Sequence, residues 1–216
     1  MVKAVIFDLD GTLLDTIEDI SDSMNHVLSV YGCPVHTLEE IKSYVGNGLR
    51  NLVKRAVPAG TDDEMIEDMF RTLVTYYRAH CAIKTRPYNG IPELLEALRN
   101  AGIRTAVISN KADNSLQALA EEMFHNAFDY ALGATEGVKL KPDAAMVNMA
   151  LEKLSCAASE AVYVGDSEVD IETAKNAEMP CICVTWGFRT KEALVENGGT
   201  VFADTPEEIF RIVKAL

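Results

Sequence analysis

Asp8 and Asp10 stand one residue apart after a short apolar run, Val5-Ile6-Phe7, and Gly11-Thr12 follows at once. The run is β-branched and aromatic, which predicts a buried strand whose alternate side chains face one way. Both carboxylates then point together at the strand's end. Like charges so close repel, and the pair costs stability unless a cation, a proton or hydrogen bonds offset it. Three further stretches carry groups able to do chemistry: Ser109-Asn110-Lys111, Lys139-Leu140-Lys141-Pro142, and Gly165-Asp166-Ser167 with Asp170. Carboxylates with no cysteine or histidine among them suit a hard cation held by oxygen ligands, magnesium best of all. Ser109, the Asn110 amide and Lys141 supply donors and positive charge suited to phosphoryl oxygens.

Those residues act together only if the fold brings them to one place. After the first strand, some seventy residues carry helical signals alone. Ile17, Ile20, Met24, Val27, Leu28 and Tyr31 recur at spacings of three and four, as one face of an amphipathic helix requires. Thr37-Leu38-Glu39-Glu40 and Thr61-Asp62-Asp63-Glu64 have capping-box form and mark two more helix starts. Gly46-Asn47-Gly48 interrupts the pattern before Leu49, Leu52, Val53 and Ala56 resume it. A bundle of about four helices is expected.

From Tyr88 onward strand and helix patterns alternate with short connections. Strands are predicted at 104–109, 128–133, 161–165 and 181–185, with a short edge strand near Val201. Helices are predicted at 93–100, 114–123, 144–154, 171–177 and 206–214. The pattern implies an α/β fold: a doubly wound parallel sheet, Rossmann-like, with an inserted helical unit. Residues 1–15 and 86–216 form the expected core, and 16–85 the inserted cap. In open sheets of this kind ligands bind beyond the carboxyl ends of the strands. Asp8, Asp10, Ser109, Lys141, Asp166 and Asp170 all fall at that rim, where a cap inserted after the first strand is placed to close. Each residue taken alone has an ordinary role, such as a turn at Asp10-Gly11, a helix start at Asp170 or a solvated Lys141. Their convergence selects the chemical reading.

Composition narrows the partners. A formal net charge of -13 argues against a nucleic-acid backbone or an anionic membrane surface. It leaves a small anionic metabolite open, because exposed charges beyond about 8 Å are largely screened at physiological salt. No targeting segment or membrane-spanning run is evident, so a cytoplasmic location is expected. The five cysteines include no C-x-x-C pair, which indicates neither a disulfide framework nor a zinc site. Cys181 and Cys183 would share one strand face as free thiols, and the four histidines show no ligand spacing. The sequence leaves the oligomeric state open between monomer and homodimer.

Asp8-Leu9-Asp10-Gly11-Thr12, Ser109-Asn110-Lys111, Lys141-Pro142 and Gly165-Asp166-Ser167-x-x-Asp170 resemble the four ordered motifs of the haloacid dehalogenase-like hydrolase superfamily. Tyr44-Val45-Gly46-Asn47-Gly48, with Arg50 and Val53-Lys54-Arg55-Ala56, is similar to the cap of phosphoglycolate phosphatases. One departure is Lys141-Pro142-Asp143-Ala144, where many relatives carry a second proline; the lysine stays in place. The resemblance implies a magnesium-dependent phosphatase acting on a small phosphomonoester, 2-phosphoglycolate foremost. Asp8 would be the nucleophile and form an aspartyl-phosphate, and Asp10 the general acid and base. Asp8, the main-chain carbonyl of Asp10 and Asp166 would bind magnesium, with Asp170 acting through water or from behind the ligands. Ser109, Asn110 and Lys141 would stabilise the transferring phosphoryl group. Asn47 and Arg50 would select the substrate, Arg50 by a bidentate pair with a carboxylate. Lys111 has no role assigned by these motifs.

Alternatives remain within the superfamily and outside it. Dehalogenases attack carbon and need no acid for a halide, so the second aspartate argues against them. A phosphosugar mutase of the beta-phosphoglucomutase type and a pyrophosphatase keep both aspartates. A non-enzymatic aspartyl-phosphate switch also clusters acids, a hydroxyl and a lysine around magnesium, but it needs neither a cap nor an acid placed to expel an alcohol.

Overall fold

In the computed structural model the chain, described at residues 1–125 and 127–216, divides into two compact units. One comprises Met1–Leu14 and Pro87–Leu216, the other Asp15–Arg86.

The first unit begins with β1 (Ala4–Phe7), every residue of which is buried. A short strand, β2 (Leu14–Asp15), leads out of it. The second unit then holds α1 (Ile17–Val30), α2 (Leu38–Tyr44), α3 (Gly48–Ala56) and α4 (Asp63–His80). Its apolar interior joins Ile20, Met24, Val27 and Leu28 of α1 to Ile41, Leu52, Val53, Met69, Leu73 and Tyr77. The spacing of three and four on each helix places these residues on one buried face. Thr37 makes the expected capping box with Glu40. At α4 the cap lies one residue later than the sequence suggests: Asp62, not Thr61, accepts from the Met65 amide at 2.8 Å. An aspartate carboxylate reaches that amide as readily as a hydroxyl does. Buried Asp19 of α1 accepts from the main-chain amides of Lys84 and Thr85, at 3.0 and 2.9 Å. That contact fixes the segment on which the chain leaves the unit.

After β3 (Arg86–Pro87) the alternating part follows. It runs through α5 (Ile91–Asn100), β4 (Arg104–Ala112), α6 (Asp113–Phe124), β5 (Tyr130–Ala134) and α7 (Ala145–Lys153). It continues with β6 (Ala161–Gly165), α8 (Glu168–Asn176), β7 (Cys181–Val184), α9 (Lys191–Glu196), β8 (Val201–Ala203) and α10 (Pro206–Ala215). The six main strands form one sheet in the order β5-β4-β1-β6-β7-β8, with parallel pairing throughout. This is the doubly wound α/β core read from the sequence. β1 pairs along both edges, with β4 and β6, and all four of its residues are buried, so both faces are covered as its unbroken apolar run requires. The order reverses at β1, where such sheets open a crevice at their carboxyl ends.

Most ends differ from the sequence reading by a residue or two, β5 for example running Tyr130–Ala134 and α5 starting at Ile91, and the larger differences lie near the site or add an element. β4 continues past Ser109 to Ala112, with its register to β5 irregular between Ile108 and Ala112. α8 starts at Glu168 rather than Ile171, so Asp170 lies in its first turn. The six-residue α9 is an addition, started by Thr190, whose hydroxyl accepts from the Ala193 amide at 3.3 Å. None of the five cysteines is joined in a disulfide.

Candidate active site

The strand that carries Asp8 delivers it by extending its own ladder. The Asp8 amide donates to the Val164 carbonyl of β6 at 2.9 Å, which fixes the backbone before the side chain turns outward. The chain then folds tightly: the Leu13 and Leu14 amides both donate to the Leu9 carbonyl at 3.0 Å, and the Gly11 amide donates to Leu14 at 2.8 Å. Gly11 sits at φ +89°, and a side chain there would overlap the Asp166 carboxylate. Thr12, fully buried, donates its hydroxyl to Asp166 Oδ1 at 3.2 Å.

From β6 come Asp166 and, one helical turn on, Asp170. The Phe188 amide donates to Asp166 Oδ2 at 2.6 Å. Asp170 Oδ2 accepts from the amides of Asp166 and Ser167, at 3.2 and 3.1 Å, and from the Ser167 hydroxyl at 2.6 Å. Its Oδ1 accepts from Tyr163 at 3.0 Å and from Lys141 Nζ at 2.8 Å. Both oxygens of Asp170 are thus held by protein donors.

Lys141 is the hub. Its side chain is buried, and its Nζ also donates to Asp8 Oδ1 at 2.7 Å and to Tyr163 Oη at 3.1 Å. Asn110 holds the lysine's main chain: its Nδ2 donates to the Lys141 carbonyl at 3.0 Å, and the Lys141 amide donates to its Oδ1 at 2.9 Å. Behind the loop, Asn176 donates to the Pro142 carbonyl at 2.9 Å. The Asn110 carboxamide thus holds the Lys141 main chain at both its carbonyl and its amide.

Carboxylate oxygens of Asp8, Asp166 and Asp170 lie within 4.8 Å of one another, all buried. The electrostatics follow. Burial raises the Asp8 carboxyl well above its usual range, and the charges of Asp170 and Asp166 add to the rise while Lys141 opposes it. Burial and then Asp170 lift Asp166 to about 7, against the Phe188 amide, Arg189 and Lys141. For Lys141 burial acts downward, but the Asp170 and Asp8 charges prevail and its ammonium is held well above the ordinary lysine range. One lysine faces three acids, and a hard cation on the oxygen-only donor set would relieve the excess negative charge. The residues present fit such an ion.

Asp8, Asp166, Asp170 and Lys141 meet in one cluster. Ser109 is buried within the neighbouring β4, three residues before its carboxyl end, and its Oγ accepts from the Lys111 amide at 3.1 Å. Asp10 is paired with Lys111, whose Nζ donates to Asp10 Oδ1 at 2.7 Å and whose side chain is 4% exposed. Asn47 and Arg50 belong to the helical unit. Asn47 precedes α3 without a side-chain cap, and its carbonyl accepts from Asn51. Arg50 is held by Glu67 and lies 4.1 Å above the Phe70 ring. The sequence gives no sign of the roles of Tyr163 and the Phe188 amide, and its motifs include Thr12 and Lys111 without assigning either a partner. Lys111 was visible as a cation beside a strand-end motif; the others depend on contacts between distant segments.

With this geometry in hand, the comparisons are specific. The haloacid dehalogenase-like hydrolase family matches residues 5–184. A phosphoglycolate phosphatase of Agrobacterium fabrum is 38% identical over 92% of this chain and 87% of its own. One from Pseudomonas savastanoi is 31% identical over 94% of this chain and 76% of its own. A solved structure of a proposed phosphoglycolate phosphatase from Lactobacillus delbrueckii superposes with a TM-score of 0.94 at 36% identity, covering 98% of both chains.

Proposed function

The chain belongs to the haloacid dehalogenase-like hydrolase family, and we propose that it is a magnesium-dependent phosphatase converting 2-phosphoglycolate to glycolate and phosphate. The observation that carries this reading is the strand-end constellation: Asp8 against Lys141 at 2.7 Å, a second aspartate two residues on, and two more acids from β6 and α8.

In the proposed mechanism an Asp8 carboxylate oxygen attacks phosphorus, the phosphorus–ester bond breaks, and Asp10 gives its proton to the departing alkoxide oxygen. The phosphoryl group then rests on Asp8 as an aspartyl-phosphate. Asp10, now ionised, takes a proton from water as that water attacks phosphorus, releasing phosphate and restoring Asp8. Lys141 and the donors around Ser109 face the phosphoryl oxygens as their charge is redistributed. Asp8, Asp166 and the Asp10 carbonyl would hold magnesium, with Asp170 orienting the set from behind, because its own oxygens are occupied by Lys141, Tyr163 and the turn amides. Bound there, the ion would supply positive charge that offsets the acids and the phosphoryl group. The helical unit would serve as a cap that excludes water and selects the substrate. Asn47 and Arg50 are the residues first suggested for that selection.

The test is phosphate release from 2-phosphoglycolate, other phosphomonoesters including N-acetylmuramic acid 6-phosphate, a phosphosugar and pyrophosphate, with magnesium and with chelator. N-acetylmuramic acid 6-phosphate enters because a Pseudomonas aeruginosa phosphatase named for it is 29% identical over 98% of this chain. Highest kcat/KM on 2-phosphoglycolate, lost with chelator and with Asp8→Asn, is expected. A flat or silent panel with Asp8 still labelled by phosphate overturns it.

A further inference from the structure

We propose that Lys111, not Arg50, recognises the substrate's carboxylate. The inference rests on the 2-phosphoglycolate reading above and deepens it.

A carboxylate-bearing substrate needs a cation beside the ester bond, and Arg50 of α3 and Lys111 of β4 are the two weighed for it. Arg50 already spends its guanidinium fork on Glu67, with one Nη2–Oε1 distance of 3.3 Å, and stacks on Phe70. Freeing it would cost both contacts. Lys111 is differently placed. It stands on the part of β4 whose register departs from regularity between Ile108 and Ala112, a distortion of the kind that re-aims side chains beside active sites. Its amide is tied to Ser109 Oγ at 3.1 Å, and its Nζ is 2.7 Å from Asp10 Oδ1. The cation is therefore anchored to the group that protonates the leaving oxygen. In 2-phosphoglycolate a single methylene separates that oxygen from the carboxylate. An ammonium bonded to Asp10 is then within reach of the carboxylate while the ester oxygen faces Asp10. A lysine so thoroughly buried is also poorly placed for any ligand except one entering the site itself.

The test compares kcat/KM for 2-phosphoglycolate and for 2-hydroxyethyl phosphate, which replaces the carboxylate by a hydroxymethyl group, in wild type, Lys111→Met, Lys111→Arg and Arg50→Met. Whatever Lys111→Met does to Asp10 acts on both substrates and cancels in the ratio. The expected result is a wild-type preference for 2-phosphoglycolate of tenfold or more. Lys111→Met erases it, mainly through KM, Lys111→Arg restores part of it, and Arg50→Met leaves it in place. A preference that survives Lys111→Met, or vanishes in Arg50→Met, overturns the proposal while the substrate reading stands. A wild type with no preference for the carboxylate overturns the substrate reading and the proposal with it.

Discussion

Asp166 and Lys141 set the behaviour of the site in opposite directions. Asp166 is lifted to about 7 from an ordinary value of 3.8, so the folded, metal-free protein holds that proton more tightly than the unfolded chain does. Its contribution to stability is full below pH about 4 and is lost as pH rises through about 7. A divalent cation must displace the same proton. Magnesium affinity measured by calorimetry should therefore rise as pH increases through about 7, and the stabilisation by magnesium should be larger at pH 8 than at pH 5.5. An affinity flat across that range would contradict the shift. Lys141→Met removes the cation between Asp8 and Asp170 at nearly constant shape. It should lower kcat by at least about a hundredfold. In urea titrations with chelator it should cost about 3 kcal/mol, because breaking a buried pair strands the remaining charges.

At the scale of elements, the site depends on how closely two turns approach Asp166. A Cβ on Gly187 would overlap the Asp166 side chain and the Gly11 carbonyl. Gly187→Ala should thus push Asp166 out of place and weaken magnesium binding tenfold or more while far-UV circular dichroism is preserved. Gly137→Ala is the control: Gly137 has φ +81° and open space around it, so strain of about 1 kcal/mol should appear with no change in metal affinity. If the two variants bind magnesium alike, the close approach does not matter. The sequence made much of this level legible. The run before Asp8 is apolar because β1 is covered on both faces, and helix periods in the inserted segment match its buried positions. What escaped has physical causes. Ser109-Asn110-Lys111 is polar, so nothing in its composition announces that β4 continues through it. The six-residue α9 has one strong signal, its Thr190 cap, and is too short to establish a period. The Lys111–Asp10 pair joins residues 101 positions apart, and the Tyr163–Asp170 bond depends on where α8 begins. Spacing along the chain contains neither.

At the scale of the molecule, every residue of the acidic cluster belongs to the strand-and-helix unit, whereas the helical unit has an apolar interior of its own. A ligand stabilises only what binds it, by about 2.7 kcal/mol at a hundredfold excess over its dissociation constant. Saturating magnesium should therefore raise the unfolding temperature of the unit that holds the site by roughly 5–10 °C. The sequence contains one tryptophan, Trp186, whose Nε1 donates to the Thr12 carbonyl at 3.1 Å beside the Asp8–Asp10 turn. Its fluorescence reports that unit, while the helical circular dichroism signal collects both. With chelator the two probes should melt close together; with magnesium the tryptophan transition should move up and part of the helical signal should be lost before it. If both probes shift together by the same amount, the two units unfold as one cooperative block, and stabilising the acidic cluster stabilises the helical unit with it.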